Sequence, residues 1–231
     1  IYKGYCYEQK ALAAIKYFPF KEGMAERFYF NEKKIQKINH KNIIKLYQTE
    51  DQVTLAEDDK HIEASSIVME FAPFGDFIEI MNKTDLKTDE KLVRTYFHHL
   101  IDGLEVLHAH NIAHLDIKCE NLLLGSDYQM KITDFDLCSK IGSRTIYGRG
   151  TCNCRAPELV NSKYGNFTKA DIFAAGVVLF MLRFGYRPYL EMKGTTTLDL
   201  YELLQENVDA FWKYHDDLKD EFIEVSPEFK Q

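Results

Sequence analysis

Residues 114–121 read His-Leu-Asp-Ile-Lys-Cys-Glu-Asn, and residues 130–136 read Met-Lys-Ile-Thr-Asp-Phe-Asp. Three leucines and a Gly-Ser-Asp turn lie between them, so the pattern predicts a short hairpin. The hairpin brings together two acids, an amide and an ammonium, namely Asp116, Asn121, Asp134 and Lys118. Such a set can hold a divalent metal, a phosphate and a hydroxyl, since Mg²⁺ is usually bound by one or two carboxylates together with phosphates. The alternative is an acidic hairpin with solvated charges, which the further Asp-Phe after the leucines makes the weaker hypothesis.

Two more motifs flank this hairpin in the sequence. Residues 13–16 read Ala-Ala-Ile-Lys, and residues 156–158 read Ala-Pro-Glu. In their order, the four motifs resemble those of the eukaryotic protein kinases, whose catalytic loop is His-Arg-Asp-Leu-Lys-Pro-Glu-Asn and whose magnesium loop is Asp-Phe-Gly. The resemblance covers essentially the whole chain. It implies an α+β, two-lobed fold, with a small antiparallel β N-lobe that carries one main helix (residues 1–72) and a larger, mostly helical C-lobe (residues 73–231).

The resemblance also implies a reaction, the transfer of the ATP γ-phosphate to Ser or Thr hydroxyls of protein substrates. Asp116 would orient the acceptor hydroxyl and take its proton, and Lys118 would neutralise the γ-phosphate. Asn121 and Asp134 would hold Mg²⁺. Thr151 lies in a Gly-Thr pair before Ala-Pro-Glu, which resembles the Ser/Thr-kinase form of the substrate-docking turn. Its hydroxyl is expected to contact the catalytic Asp and Lys.

The implied nucleotide site depends on Lys16, which would fix the α- and β-phosphates. A lysine within a buried strand needs an acidic partner, because an unpaired buried charge is costly. We predict that this partner is Glu32 on a helix over residues 26–38, although the family's usual spacing from His40 points to Asn31. Asp76 is expected near the ribose or a basic substrate residue, and a plain helix-capping role for it is equally open. The other expected nucleotide contacts are Ala14, the gatekeeper Met69, the hinge backbone at Glu70 and Ala72, and Leu123 under the adenine.

Four departures from the family pattern bear on activity. Leu115 replaces the arginine before the catalytic Asp, so that position offers no cation to an activation-loop phosphate. Cys119 replaces a proline, and Asp136 replaces the glycine of Asp-Phe-Gly, which adds an acid and removes a flexible pivot. By its distance from Lys16, Ile1 falls where the valine that closes the Gly-rich phosphate loop would stand. We therefore expect a fragment that lacks this loop and, at its other end, the last C-lobe helices.

The remaining pattern predicts secondary structure around the motifs. Strands are expected over residues 42–49 and 62–71, with a polar loop over residues 50–61. Thr88 is expected to cap a long helix that buries Leu92, Tyr96, Leu100, Leu104 and Leu107. Further helices are predicted to follow Asp171, to run over residues 198–214, and to begin at Ser226. Residues 137–150 resemble an activation segment, with Ser143, Thr145 and Tyr147 as hydroxyl-bearing residues.

Composition limits the other functional classes. The chain has 231 residues and a net charge of −7, which argues against general nucleic-acid binding. The longest apolar run, residues 172–182, is too short to span a bilayer, which needs about 20 residues. Five cysteines without regular spacing indicate reduced thiols and an intracellular, cytoplasmic or nuclear protein.

Three functional hypotheses remain. The first is an active Ser/Thr protein kinase domain that binds ATP and Mg²⁺. The second is a pseudokinase that serves as a nucleotide-binding or scaffold module without turnover. The third is a phosphotransferase that acts on a small molecule. Lys16, Asp116, Asn121 and Asp134 together favour the first over the second, and Thr151 before Ala-Pro-Glu favours a protein substrate over a small one.

Overall fold

A four-stranded antiparallel sheet opens the chain, and helices dominate the residues after it. The computed structural model describes residues 1–20, 24–57, 60–143, 151, 154–161, 166–189, 197–219 and 223–230. The sheet has the order β1-β2-β4-β3. Its strands are β1 (Tyr2–Cys6), β2 (Ala11–Pro19), β3 (Leu46–Glu57) and β4 (Lys60–Glu70). Together with one helix after β2, this sheet forms the smaller lobe, which confirms the predicted two-lobed α+β fold.

The loop predicted over residues 50–61 is wrong, because most of it is strand. β3 continues to Glu57 and β4 starts at Lys60, so the two strands form a long hairpin. Thr54 and Gln52 donate side-chain hydrogen bonds across the hairpin to Glu63, at 2.7 and 3.2 Å. The polar residues that suggested a loop are thus the solvent-facing side of a strand.

Helix α1 spans Ala25–Lys33 and is shorter than predicted. Beyond it, the backbone N–H of Ile35 donates to the carbonyl of Glu32, and that of Ile38 donates to Ile35, at 3.2 and 2.8 Å. These three-residue spacings tighten the chain into turns, a common way for a helix to end. Both isoleucines are thereby buried in the core.

Six helices lie among the described residues of the larger lobe. They are α2 (Phe77–Lys83), α3 (Glu90–Ala109), α4 (Pro157–Asn161), α5 (Phe167–Phe184), α6 (Thr197–Glu206) and α7 (Val208–Leu218). Four short strands form two antiparallel pairs, β5 (Ile112–Ala113) with β8 (Ser139–Lys140) and β6 (Leu122–Leu124) with β7 (Met130–Ile132). In the part of the chain that the structure covers, none of the helices has the length and apolarity that crossing a membrane requires.

Helix α3 differs from its prediction at its start. Asp89, not Thr88, is the cap, and its carboxylate accepts a hydrogen bond from Leu92 N at 3.0 Å. Leu92 is 39% exposed, whereas Val93 is 1% exposed and takes the core position. The other four predicted core residues of this helix are buried. The prediction is therefore wrong at the cap and at the first buried position, and confirmed at the other four positions.

The helix predicted over residues 198–214 is two helices. Asn207 interrupts it, and its side chain accepts a hydrogen bond from Ala210 N at 3.0 Å as the cap of α7. A capping side chain of this kind satisfies an otherwise free N–H at a helix start. Near Ser226 the described residues form turns, with Phe229 N donating to the Ser226 carbonyl at 3.1 Å.

Candidate active site

The loop over residues 114–121 is fixed from behind by α5. Asp171 accepts hydrogen bonds from the backbone N–H groups of His114 and Leu115, at 2.9 and 2.8 Å. Leu115 has a φ of 66°, a left-handed conformation that costs a side-chain-bearing residue roughly 1–3 kcal/mol. The buried Asp171 carboxylate offsets that cost, since both of its oxygens accept bonds from this short stretch. The loop is thus held in the sharp bend that presents Asp116.

Asp116, Lys118 and Thr151 meet in one cluster. Oδ1 of Asp116 accepts hydrogen bonds from both the backbone N and the Oγ1 of Thr151, at 2.8 and 2.9 Å. Oδ2 of Asp116 lies 2.8 Å from Lys118 Nζ, which also donates to Thr151 Oγ1 at 3.0 Å. Three of the four predicted catalytic residues are therefore in mutual contact, and the fourth, Lys16, lies in a separate cluster.

The charge state of Asp116 is set by opposing effects. Burial alone would raise the pKa of this carboxyl, but the Lys118 ammonium and the two donors from Thr151 outweigh it and lower the pKa below its usual value. Burial would likewise lower the pKa of Lys118, and the Asp116 carboxylate raises it instead. At neutral pH the pair is a carboxylate and an ammonium. Asp116 is thus a deprotonated oxygen acceptor.

Asn121 is tied to Asp116 through its amide nitrogen. Nδ2 donates to the backbone carbonyl of Asp116 at 2.9 Å and to its Oδ2 at 3.1 Å. Both bonds use the nitrogen, so the amide oxygen is the atom suited to a metal. Thr133 N donates to the Asn121 carbonyl at 3.0 Å, which places the backbone before Asp134 beside Asn121. An amide and a carboxylate oxygen from neighbouring backbone form a donor set that fits Mg²⁺.

Lys16 lies among three carboxylates. Its Nζ is 2.7 Å from Glu32 Oε1 and 2.8 Å from an oxygen each of Asp134 and Asp136. Burial would lower the pKa of Lys16, but these acids raise it above its usual value. Burial raises the pKa of Glu32, which is 1% exposed, and the Lys16 ammonium opposes that rise. The structure thus pairs Lys16 with Glu32, the residue chosen from the sequence.

The sequence alone did not reveal Asp136 as a third partner of Lys16. The spacing of Asp134 and Asp136 did not indicate it, because the alternation of side chains holds for an extended chain, whereas Asp134 has a left-handed φ of 64° and Asp136 lies in a turn after β7. Oxygen atoms of these two acids and of Glu32 lie within 4.8 Å of one another. Burial also raises the pKa of Asp136, against the effect of Lys16.

Asn31, the other candidate for the Lys16 partner, has a different position. Its side-chain Nδ2 donates to the Asp136 carbonyl at 2.6 Å, and its Oδ1 accepts from Lys34 Nζ at 2.6 Å. Its own carbonyl accepts a bond from Cys138 Sγ at 3.4 Å. Asn31 therefore joins α1 to the backbone that follows Asp134.

The predicted adenine contacts lie around the junction of the lobes. Ala14 and Met69 are paired in the β2–β4 register, and Met69 is buried. Leu123 on β6 forms an isolated bridge with Asp76. Asp76 caps α2, since its carboxylate accepts a bond from Glu79 N at 2.9 Å. Ala72 is half-buried just after β4.

A buried lysine that the sequence had not marked joins the hinge to the β6–β7 hairpin. Lys131 is 5% exposed, and its Nζ lies 3.2 Å from Glu70 Oε2 and 3.4 Å from Asp127 Oδ2. It also donates to the Lys41 carbonyl at 3.0 Å. The Glu70 carboxylate accepts in addition from Lys45 N at 2.8 Å. The side chain of Glu70 thus has a structural role, and so does its backbone N–H, which donates to the Lys45 carbonyl at 2.9 Å.

Part of the predicted activation segment can be placed. Ser143 lies in a turn in which its N–H donates to the Lys140 carbonyl at 3.1 Å. Thr145, Tyr147 and Gly150 lie outside the described residues, as does Cys152. The four cysteines within them, Cys6, Cys119, Cys138 and Cys154, are free and buried.

The chain is similar to known proteins along its whole length. A family model described as the protein kinase domain matches residues 1–231. Putative sperm motility kinase W of Mus musculus is 32% identical over 195 residues, which is 84% of this chain and 36% of that protein. CBL-interacting serine/threonine-protein kinase 26 of Arabidopsis thaliana is 34% identical over 177 residues, covering 73% of this chain and 37% of the relative. Serine/threonine-protein kinase max-2 of Caenorhabditis elegans is 30% identical over 214 residues, which is 91% of this chain and 31% of that protein. The chain spans about a third of the length of these curated relatives.

Proposed function

Because the chain belongs to the protein kinase family, we propose that it transfers the γ-phosphate of ATP to Ser or Thr hydroxyls of protein substrates. One observation carries the proposal, the cluster in which Asp116 accepts from Thr151 and pairs with Lys118. Phosphoryl transfer requires that an acceptor hydroxyl and a phosphate be held close together. The cluster offers a carboxylate that can orient the hydroxyl and an ammonium that can neutralise the phosphate.

In this proposal Asp116 orients the acceptor hydroxyl and takes its proton as the oxygen–phosphorus bond forms. The bond between the γ-phosphorus and the bridging oxygen breaks, and ADP leaves. Lys118 offsets negative charge on the transferred group, where electrostatic stabilisation matters most. Asn121 and Asp134 would hold Mg²⁺, whose positive charge would offset that of the phosphates. Each of these residues acts from a position that the surrounding backbone holds.

The nucleotide lies, in the same proposal, between an N-lobe over residues 1–72 and a C-lobe over residues 73–231. Lys16 contacts the α- and β-phosphates, and Glu32 keeps it in place. The adenine lies in front of Met69 and over Leu123, beside Ala14, and hydrogen-bonds the backbone of Glu70 and Ala72. Reduced, free cysteines support an intracellular setting for this reaction.

A second candidate function has a specific observation in its favour. Three acids surround Lys16, so nucleotide phosphates must compete with carboxylates for its ammonium. If the carboxylates keep Lys16 and the phosphates do not reach its ammonium, the chain would bind partners or nucleotide without turnover, as a pseudokinase does. Contact between Thr151 and Asp116 counts against a small-molecule substrate, since this threonine lies before the Ala-Pro-Glu motif at the turn where a peptide docks.

Measuring nucleotide binding and phosphate transfer separately tests the proposal. We expect the chain to bind Mg-ATP in calorimetry and to phosphorylate Ser or Thr in a general protein substrate such as casein. Asp116→Asn should keep Mg-ATP affinity and reduce turnover by roughly 10²-fold or more, the scale of general-base loss. Asp134→Asn should weaken Mg-dependent binding itself. Nucleotide binding by the wild-type chain without any transfer would favour the pseudokinase function instead.

A further inference from the structure

The segment after β7 is joined to β2 and to α1 by two bonds that involve the same residue, Asp136. The Asp136 carboxylate pairs with Lys16 at 2.8 Å, and the Asp136 carbonyl accepts from the Asn31 amide at 2.6 Å. A glycine at position 136 could make only the second of these bonds. The segment is therefore bound to β2 through a side chain and to α1 through its backbone.

The three acidic side chains around Lys16 differ in solvent exposure, and a more exposed side chain can move away from Lys16 more easily. The Glu32 side chain is 1% exposed, whereas the side chains of Asp136 and Asp134 are 25% and 37% exposed. Asp134 is also the acid assigned to the metal in the proposed function. A carboxylate that ligates a divalent cation has less negative charge left for an ammonium, so Lys16 would lose one of its partners at the moment when phosphates arrive.

We propose that Asp136 and Asn31 are positioning residues that keep Lys16 paired and α1 in place when Asp134 turns from Lys16 to the metal. Asp136 takes over as the second carboxylate of Lys16 beside Glu32. Asn31 fixes the Asp136 backbone to α1, so the carboxylate remains within reach of the ammonium. This inference rests on the proposed function for its kinetic consequences, but the pairing itself can be tested without any phosphate transfer.

The same geometry argues against using these acids as a second metal site. The ammonium of Lys16 lies within 2.8 Å of all three carboxylates and already occupies the space between them. Glu32 Oε2 is buried and has no hydrogen-bond partner among the residues that the structure describes, but its other oxygen is bound to Lys16. The cluster is thus arranged around a lysine, and its acids act on the position of that side chain.

Acylation of Lys16 by a small amine-reactive anhydride, followed by mass spectrometry, reports how firmly the amine is held. The nucleotide-free chain is compared with Asp134→Asn, Asp136→Asn and the double variant. Each single variant should leave one aspartate beside Glu32 and change Lys16 labelling little. The double variant should label about tenfold faster, a non-additive effect expected of neighbours that share a partner. The more exposed Lys41 serves as an internal reference in every sample.

Asp51→Ala is the matched control for α1. Asp51 pairs with Lys33 on the same helix, is 71% exposed, and forms none of the bonds to Lys16. It should leave Lys16 labelling unchanged, whereas Asn31→Ala combined with Asp134→Asn should speed it as the double aspartate variant does. Thermal unfolding of each variant identifies loss of fold, and the Asn substitutions keep side-chain size so that this loss is small.

Kinetics provide the second readout. Since Asp134 serves the metal during turnover, Asp136→Asn should raise KM for ATP by about fivefold and leave KM for the protein substrate unchanged. Lys16 labelling in the double variant at the wild-type rate would overturn the inference, as would an unchanged KM for ATP in Asp136→Asn. If no variant, including wild type, transfers phosphate, the proposed function fails while the labelling result still decides the positioning of Lys16.

Discussion

Thr151 donates both its backbone N–H and its hydroxyl to the same oxygen of Asp116, at 2.8 and 2.9 Å. The other Asp116 oxygen is paired with Lys118. A hydroxyl that enters this cluster therefore finds a carboxylate whose orientation is already set from both sides. Bonds of this kind to a charged group are worth roughly 1.5–3 kcal/mol each when they are lost without replacement.

Thr151→Ala tests the hydroxyl bond alone, because the backbone N–H remains. We expect kcat to fall by about tenfold, since Asp116 and Lys118 both lose a partner, and KM for ATP to stay the same. Thr151→Ser keeps the hydroxyl and is the matched control, with activity near wild type. Steady-state kinetics with a protein substrate measure both values. A wild-type kcat in Thr151→Ala would show that the Thr151 hydroxyl has no role in catalysis.

Activity should not depend on phosphorylation of residues 137–150. Leu115 is 7% exposed and packs with Ala156, Leu159 and other apolar residues where the family has an arginine. A phosphate in that segment finds no cation at this position. Phosphatase treatment, with complete removal verified by mass spectrometry, should leave the rate within a few-fold. A tenfold loss, about 1.4 kcal/mol of barrier, would contradict this expectation.

The residues of the candidate catalytic cluster could be predicted from the sequence because most of them lie in one contiguous motif. A bend held by Asp171 brings Asp116, Lys118 and Asn121 together, and each was identified from its neighbours in the chain. Glu32 was also chosen correctly as the ion-pair partner of Lys16, even though family spacing pointed one residue earlier. In that case the need of a buried ammonium for an acidic partner predicted the pairing better than the family's spacing from His40 did.

Contacts between distant segments were beyond the reach of the sequence. The pairing of Asp136 with Lys16 joins positions 120 residues apart and depends on how the segment after β7 bends. Residues 50–61, the outer part of the β3–β4 hairpin, were predicted as a loop because residues such as Gln52 and Thr54 are polar, whereas in the structure both donate across the hairpin to Glu63. The break between α6 and α7 at Asn207 could be identified only from the capping hydrogen bond that its side chain accepts in the structure. Local polarity alone does not separate a capped helix boundary from a solvent-facing helix position.

A basic residue upstream of the phosphorylated Ser or Thr should be favoured, and Glu120 should carry that preference. Glu120 follows the catalytic cluster, is 40% exposed and lies 3.8 Å from Arg187, so it already faces a cation. An exposed ion pair contributes about 0.2–1 kcal/mol, which predicts a kcat/KM that is higher by up to about fivefold for peptides with an upstream Arg than for peptides with Ala. Glu120→Gln should abolish the difference.

Asp76→Asn is the control variant for Glu120→Gln in the test of the preference for an upstream Arg. Its carboxylate caps α2, and Asn caps nearly as well, so the variant should keep both stability and the preference for Arg. Arrayed peptides that show indifference to upstream Arg, or a preference for an acid there, would rule out the role of Glu120. Loss of the preference in Asp76→Asn would instead assign it to Asp76.

His215 should make the larger lobe sensitive to acid. Its side chain is 0% exposed, and its ring lies 4.4 Å from Phe211 and 4.7 Å from Phe180, centroid to centroid. Burial lowers its pKa from 6.5 to about 4, although a backbone bond to Pro188 and the charge of Asp216 act in the other direction. Above pH 6.5 both the folded and the unfolded states are neutral at this residue. As pH falls from 6.5 towards 4, only the unfolded state takes up the proton, so stability is lost over that window.

At pH 5 this difference in proton uptake amounts to about 2 kcal/mol. Urea unfolding at pH 7 and pH 5 should therefore show a larger loss of unfolding free energy for the wild-type chain than for His215→Phe, by about that amount. The phenylalanine keeps a ring among the surrounding aromatic side chains but cannot be protonated. His110→Phe is the control, because that histidine is exposed and has the ordinary solvent access of a helix end. Equal losses in wild type and His215→Phe would show that other groups govern the acid response.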